Sequence, residues 1–531
     1  LKKHYEFYKL IYMSKSENYF KHPTPDISGD FHNKNKTCWN CPAAKFKGNI
    51  DFRACGQSRK VESLREDGQI VIECKRRPEL GHYEPNITFE QCPQWQKTKY
   101  GYLLKDMRVM ILGIDGYLGW TLALKLAKLG CKVSGIDNYC RRNCVMERGA
   151  HTVVPISRMT ERLKAARDVL GVNINFRRMD IMEKEKLKEF LEEEKPEVII
   201  HYAEIPSAPY SMIDVDHAVE VQKNNVLGTL GLLWAMKEKT PESSLIKLGT
   251  LGEYGAPLTG RPIFEGMFPA DAVLKWDERE WSLGGELTPR DPVSFYHVSK
   301  VQDTFNVYEA CKYWWLRSYD VMQGVIYGVH TDEVSADPRL YTRFDTDEWF
   351  GTVINRFVAQ SVLGLPLTIY GGGGQIRGFI ALEDAMECMV RLISSPPEPG
   401  QYDVINQVSG LHKIGDLAEI VAKVGRERFG LNTEIQRLEN PRVEAEEHPF
   451  EVVSKNLPRR LGFKPKVSVE KEVSRMFKFL TQPEIKKRIE EKAYLIWPKT
   501  RWSGEKKKSE VLEVYKPGTK ERKGYKGQLD V

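Results

Sequence analysis

Three residues in the middle of the chain have the types and spacing for proton and hydride chemistry. Tyr296 and Lys300 stand four apart in the segment SFYHVSK, and Thr250 closes the apolar run SLIKLGT. Residues i and i+4 of a helix share one face, so a phenol and an ammonium would meet the same substrate group. A free tyrosine ionises near pH ~10 and is a poor base at neutral pH. A neighbouring ammonium, and any further positive charge, would stabilise the phenolate and lower that value. Tyr296 would then take a hydroxyl proton while hydride leaves the same carbon, and Thr250 would hydrogen-bond both groups and align them. Taken alone, a Tyr and a Lys at this spacing also describe the wet face of an amphipathic helix.

A glycine turn upstream makes the chemical reading the stronger one. The strand RVMILG (108–113) runs into Gly113, Asp115, Gly116, Tyr117, Leu118 and Gly119 and then into a helical pattern. Glycines spaced three and three permit a tight turn and close backbone approach to a pyrophosphate, and the helix amino end adds free N–H groups and a favourable dipole. Asp137 ends the next strand, 24 residues beyond Gly113, where a carboxylate bonds the adenosine ribose hydroxyls. With Asn138 beside it, Asp137 favours NAD over NADP, since a carboxylate repels a 2′-phosphate; Arg141 and Arg142 pull the other way. Asp180 and Ile181 follow the third strand, where adenine would be held, although Asp180 also suits a helix N-cap.

The elements that must position these residues alternate as strand and helix. After RVMILG and the helix TLALKLAKLG come the strands CKVSGID, NINFRRMD, EVIIHYAE, SLIKLGT and YDVMQGVIYG (319–328). Buried apolar strands alternating with helices predict an α/β, Rossmann-type, doubly wound parallel sheet with ligands at the strand carboxyl ends. A smaller C-terminal substrate-binding lobe and a Cys-rich N-terminal extension complete the expected fold. Three regions follow by texture: a polar, Cys-rich extension (1–106), a catalytic region (107–504) and a basic flexible tail (505–531). Leu1 is not an initiator, and Met13 is the expected start.

Composition narrows the function classes. Of 531 residues, 41% are hydrophobic and 29% charged, which excludes a wholly disordered chain. No apolar run approaches the ~18 residues of a membrane span, and the first residues lack a secretory pattern. The net charge of +7 does not indicate nucleic acid, because residues 481–531 alone carry 14 Lys/Arg against 8 Asp/Glu. The expected compartment is reducing: cytoplasm or, in a eukaryote, an organelle stroma.

Taken together, these residues resemble the extended short-chain dehydrogenase/reductase family, the NAD-dependent nucleotide-sugar epimerases and dehydratases. HYAEIPSAPYSMID (201–214), KLGTLGEYG (247–255), SFYHVSK, QGVIYGVHTDE (323–333) and NPRVEAEEH (440–448) resemble its UDP-sulfoquinovose synthase branch, with similarity from about 107 to 502. That resemblance implies a reaction of UDP-glucose with sulfite on a bound, recycled NAD+, for sulfolipid or glycan synthesis. C4 oxidation would acidify the C5 proton, water would leave C6, sulfite would add, and C4 would be reduced. By resemblance Thr250, Tyr296 and Lys300 carry the family's Thr-Tyr-Lys roles, and Tyr296, Lys300 and Gln323 also border the cofactor.

The dehydratase string T-D-E-V-Y-G is here TLGEYG, with Leu251 and Gly252 at the two acid positions and Glu253 one position later. Glu253 and His297 therefore become candidates for the elimination and sulfite steps, although Glu253 also suits a structural ion pair and His297 a satisfied buried histidine. LPLTIYGGGGQIRGF (365–379) resembles the epimerase segment that meets the nucleotide, with Gln375 and Arg377 facing the diphosphate, although its four glycines also suit a hairpin turn. Arg442 and Glu444, Gln323, Asn355, Ser207 and Tyr210 complete the expected substrate contacts. The expected partners are UDP-glucose, sulfite or a sulfite-donating protein, and a second copy of the chain. The rival readings are a 4-epimerase or dehydratase of the same fold, and a non-catalytic NAD-binding scaffold.

The resemblance does not reach residues 1–106. There the Cys38/Cys41 pair has a two-residue spacer that lets two thiolates reach one metal, with Cys55, Cys74 and Cys92 as further ligands. Zinc, an iron–sulfur cluster and no metal all remain open. The NIT triplet at Asn86 carries no weight without secretion.

Overall fold

The computed structural model describes residues 104–255, 260–442 and 450–498, with the backbone of a few short strands outside them. The chain divides into two compact units, Leu1–Lys99 and Tyr100–Val531. In the first, Ala44–Lys47 pairs antiparallel with Val71–Cys74, which also pairs with His82–Tyr83, and Asp51–Ala54 pairs with Gln57–Lys60. The expected metal ligands Cys38, Cys41, Cys55 and Cys92 lie outside the described residues, and only the backbone of Cys74 is described. Of the expected tail, only the backbones of Leu512–Glu513 and Gly524–Tyr525 are described.

The second unit is organised by seven parallel strands: β1 (Arg108–Leu112), β2 (Lys132–Asp137), β3 (Ile174–Arg178), β4 (Val198–His201), β5 (Ser244–Thr250), β6 (Arg317–Gln323) and β7 (Tyr402–Gln407). Their spatial order is β3-β2-β1-β4-β5-β6-β7. In β1, Val109 and Ile111 join one apolar cluster and Met110 and Leu112 the other, so the period of two buries both faces of the sheet. This is the doubly wound sheet expected from sequence. Its order reverses beside β1, and a crevice opens there at the strand carboxyl ends.

A third apolar cluster, including Phe357, Leu367, Leu417, Val473 and Trp497, forms the C-terminal lobe. Around it pack the helices Val353–Val362, Ile414–Phe429 and Val469–Leu480. Two expectations about connections are corrected. The single strand expected over 319–328 breaks at Gly324, where the Gly378 carbonyl comes too close for a side chain, and Val325–Tyr327 pairs instead with Ile376–Ala381. The four glycines 371–374 do not turn a hairpin: Leu367–Tyr370 pairs with Ile435–Leu438, while Ile376–Ala381 belongs to another sheet. Among the described residues no helix is long and apolar enough to cross a membrane.

Candidate active site

A cavity of about 470 Å³ lies along the carboxyl ends of β1, β4 and β5. The glycine turn, Asp137, Thr250, Tyr296, His297 and Arg377 all border it. On the β1 side the wall is mostly backbone. Gly113 has a φ of +85°, and a Cβ there would meet the Tyr202 carbonyl at 2.7 Å; a Cβ at Gly119 would meet the Gly113 oxygen at 2.2 Å. Helix α1 (Tyr117–Lys128) begins at this turn, with its free N–H groups at the cavity. The Asp137 carboxylate accepts from the backbone N–H of Asp115 and Tyr139, and burial raises it to about 6, with the Asp115 charge adding. Asn138 also faces the cavity, its amide donating to Asp180 at 2.8 Å. Arg141 lies over the Phe350 ring and donates to Asp345, while its NH1 has no partner.

Two expected cofactor contacts are corrected on this side. The Asp115 side chain is turned beneath the turn, held by Arg142 at 2.6 Å and by buried Arg162 at 2.7 Å. Arg142 is thereby committed to Asp115 and is not presented to a 2′-phosphate. Asp180 takes the Asn138 amide and the Met182 N–H, so Ile181 rather than Asp180 borders the cavity. Nor is Asp180 a helix N-cap, since the next helix, Lys184–Glu194, is capped at Glu183.

On the other wall, Thr250 ends β5 and caps the short turn Leu251–Glu253, its hydroxyl accepting the Gly252 N–H at 3.2 Å. Tyr296 and His297 enter on the first turn of α2 (Phe295–Trp314), whose N-cap Ser294 accepts the His297 N–H and bonds His297 Nδ1 at 2.9 Å. The ring of His297 fills the space beside Gly252, where a Cβ would lie 2.2 Å from Nε2. Burial pulls the His297 imidazole down to about 3, with Arg442 and Arg377 adding, so it is neutral at ordinary pH. Asn225, in the irregular turn Lys223–Leu227, bonds both backbone groups of Ile205 and the Ser299 hydroxyl, bracing α2 against the loop after β4.

Lys300 departs from the sequence expectation. Its ammonium sits against the Glu204 carboxylate and the Leu248 carbonyl, behind the cavity surface, and 6.0 Å from the Tyr296 ring centre. Burial pulls it down to about 8. Tyr296 is accordingly not acidified here: burial raises it above the free phenol, and the charges of Glu253 and Asp303 add. Glu204 itself borders the cavity, and its Oε1 has no hydrogen-bond partner.

Glu253, a candidate either for chemistry or for a structural ion pair, is found in the second setting. It has no exposed surface and lies behind Thr250, whose N–H it accepts at 3.3 Å. It belongs to a buried network in which Lys247 reaches Asp320 at 3.3 Å and Glu253 at 3.6 Å, Thr304 donates to Glu253, and Arg290 lies at 3.7 Å. Burial raises Glu253 to about 7. Lys247 and Asp320 are register partners across β5 and β6.

Four expected substrate contacts do not reach the cavity. The Ser207 hydroxyl donates to the Trp349 carbonyl, Tyr210 to Glu147 and Glu220, and the Gln375 amide to the Tyr370 carbonyl, while Asn355 accepts the Gly328 N–H. Gln323 does border it and bonds Gln407 at 2.7 Å. Arg377 and Arg442 border it at the His297 end. Glu444 lies outside the described residues.

Residues 109–406 match the model of the NAD dependent epimerase/dehydratase family. The chain belongs to that family. It is 43% identical over 396 residues to the UDP-sulfoquinovose synthase of Sulfolobus acidocaldarius, covering 75% of this chain and 98% of that protein. It is 39% identical over 395 residues to the chloroplastic UDP-sulfoquinovose synthase of Spinacia oleracea, covering 74% and 79% respectively. The fold is shared with the UDP-glucose 4-epimerase of Bifidobacterium longum solved with NAD+ and UDP, at a TM-score of 0.53 and 16% identity over 71% of this chain and 99% of that one.

The family's dinucleotide fits the residues present. The Gly113–Gly119 turn packs so closely on backbone, its own and that of Tyr202, that it lines the cavity without side chains at its glycines, the Asp137 carboxylate faces the same cavity, and Arg141 presents an unpaired N–H. Membership also gives the departure at TLGEYG a steric meaning, because the His297 ring stands where a side chain at position 252 would project. Sequence reasoning missed Glu204, Asn225, Lys247, Arg290 and Asp320. Lys247 left one trace, as the lone charge in the strand SLIKLGT.

Proposed function

We propose that this chain converts UDP-glucose and sulfite to UDP-sulfoquinovose and water with a retained NAD+. When bound, the nicotinamide supplies a reversible acceptor for the hydride of C4. Tyr296 takes the C4 hydroxyl proton, with Thr250 aligning that hydroxyl. Lys300, 6.0 Å from the Tyr296 ring centre, supplies the positive charge that favours the phenolate. His297, neutral and held at Nδ1 by Ser294, offers Nε2 to the C5 and C6 end of the sugar, where a proton must leave, a hydroxyl depart and sulfite enter. Arg377 and Arg442 hold the anionic groups, the diphosphate and the incoming sulfite. Glu253 acts through Thr250 as a positioning residue.

The observation that carries this reading is the pairing of Gly252 with His297 in place of the acid pair, next to two guanidinium groups. It favours sulfite addition over plain dehydration or C4 epimerisation, and the names of the two curated relatives support it. Incubating the protein with UDP-glucose, with and without sulfite, tests it by product mass. A sulfonated nucleotide sugar formed only with sulfite is expected; UDP-galactose formed without sulfite would replace this reading by the epimerase one.

A homodimer is part of the proposal. Val215, Val219, Leu230, Trp234 and Phe305 are exposed on Val215–Gln222, Gly228–Lys239 and α2, which pack together, and a second copy covering them would remove that apolar surface from water. The work is assigned to the cytoplasm or an organelle stroma. Zinc or an iron–sulfur cluster on the N-terminal cysteines stays part of the proposal, to be decided by metal analysis and an absorption spectrum.

A further inference from the structure

Away from the Tyr296 wall, two thiols share the rim of the same cavity. Cys140 and Cys144 stand one turn apart on the helix Cys140–Glu147, both border the cavity, and their sulfurs are 3.7 Å apart. A carboxylate oxygen of Glu220, from the separate helix Val215–Gln222, lies with the two sulfurs in a triangle whose sides are all within 4.8 Å. Neither cysteine has a role in the hydride chemistry proposed above.

The spacing is that of ligands around one ion. Thiolates about 2.3 Å from a tetrahedral zinc ion are held roughly 3.8 Å from each other, close to the separation seen. Paired ligands at i and i+4 on one helix face are a recurring way for a helix to present a metal site. A third ligand from a second helix turns the pair into a clasp. One hydrogen-bonded neighbour reaches that ligand: the Tyr210 hydroxyl, shared between Glu220 at 3.1 Å and Glu147 at 2.8 Å, with His217 Nε2 holding Glu147 at 2.8 Å. Hydrogen-bonded outer partners of this kind fix ligand orientation.

We propose that Cys140, Cys144 and Glu220 form a site for a thiophilic divalent cation of the zinc class, with its fourth position open to the cavity. The ion would tie Cys140–Glu147, the helix that carries Arg141, to Val215–Gln222. It would therefore brace the cavity beside Asn138 without entering the reaction at Tyr296. Such a site calls on none of the N-terminal cysteines and does not depend on the sulfite reading.

Titration of the metal-stripped, full-length protein with Co²⁺ tests this, because tetrahedral thiolate-bound Co²⁺ is intensely coloured. The parent should show those bands. Cys140→Ser/Cys144→Ser should bind one equivalent fewer, and Cys38→Ser/Cys41→Ser should keep that equivalent. Glu220→Gln alters an exposed side chain and should leave the fold intact while weakening Zn²⁺ competition for the site by about tenfold or more. Equal Co²⁺ stoichiometry in the parent and Cys140→Ser/Cys144→Ser would overturn the site. So would unchanged affinity in Glu220→Gln.

Discussion

The turns at 113–119 and 250–255 both leave the carboxyl end of a parallel strand and face one cavity, yet they are supported in different ways. The first is shaped by steric exclusion: glycines admit backbone where no side chain fits, and the charges beneath it, Asp115 with Arg142 and Arg162, are mutually satisfied at 2.6–2.7 Å. The second rests on a buried electrostatic balance in which Lys247 and Arg290 face Glu253 and Asp320, all four side chains almost wholly buried. A wall that only has to admit a pyrophosphate can be made of backbone. A wall that must hold a hydroxyl, a phenol and an imidazole in register needs side chains, and these need buried charges to fix them.

Five substitutions, one of them used only in a double variant, probe that contrast in falling order of effect. Tyr296→Phe removes the proton acceptor while leaving both walls standing, so turnover should fall about 10²–10⁴-fold with thermal stability unchanged. Full activity in that variant would move the base elsewhere. Lys247→Met should cost roughly 3–5 kcal/mol, because Glu253 and Asp320 lose their shared cation, with the larger loss at pH 8, where Glu253, raised to about 7, is ionised. A denaturant melt at pH 6 and pH 8 checks both the size and the direction.

Gly252→Ala should cost about 1–3 kcal/mol by overpacking, since the His297 ring cannot swing freely while Ser294 holds Nδ1. Combining it with His297→Ala should recover the stability but not the activity, and an additive result would mean that the two residues do not touch. The smallest effect is a pH dependence. The folded pKa of His297, about 3, lies below the ~6.5 of an unfolded histidine. Between those values the unfolded chain binds the extra proton, so this group removes stability as pH falls from 6.5 toward 3. His297→Gln should therefore lose less stability than the parent between pH 6.5 and pH 4, as measured by denaturant midpoints.

What could be seen in the sequence divides along the same line. The glycine turn, Asp137 and the Tyr296 helix are local patterns, a strand period followed by a turn and a helix period, and each lies where its spacing predicted. Asp115, Ser207, Tyr210 and Asn355 were expected at the cavity because they follow strands or flank motifs. Side-chain direction there depends on partners 27 to 142 residues away, such as Arg142, Trp349 and Gly328. Glu204 was missed for the same reason, since its role appears only when α2 brings Lys300 against the end of β4. Lys247 and Asp320 become partners only through the register of β5 with β6.

The account's central claim is that C4 is oxidised and re-reduced in place while C6 is opened to sulfite. Running the reaction in heavy water with UDP-glucose deuterated at C4, and reading the product by mass and NMR, tests it most directly. The claim predicts a sulfonated nucleotide sugar that keeps its C4 label and gains one solvent deuteron at C5. A product without sulfur, or one that carries the sulfonate but no solvent deuteron and no trace of C5 exchange, would contradict it.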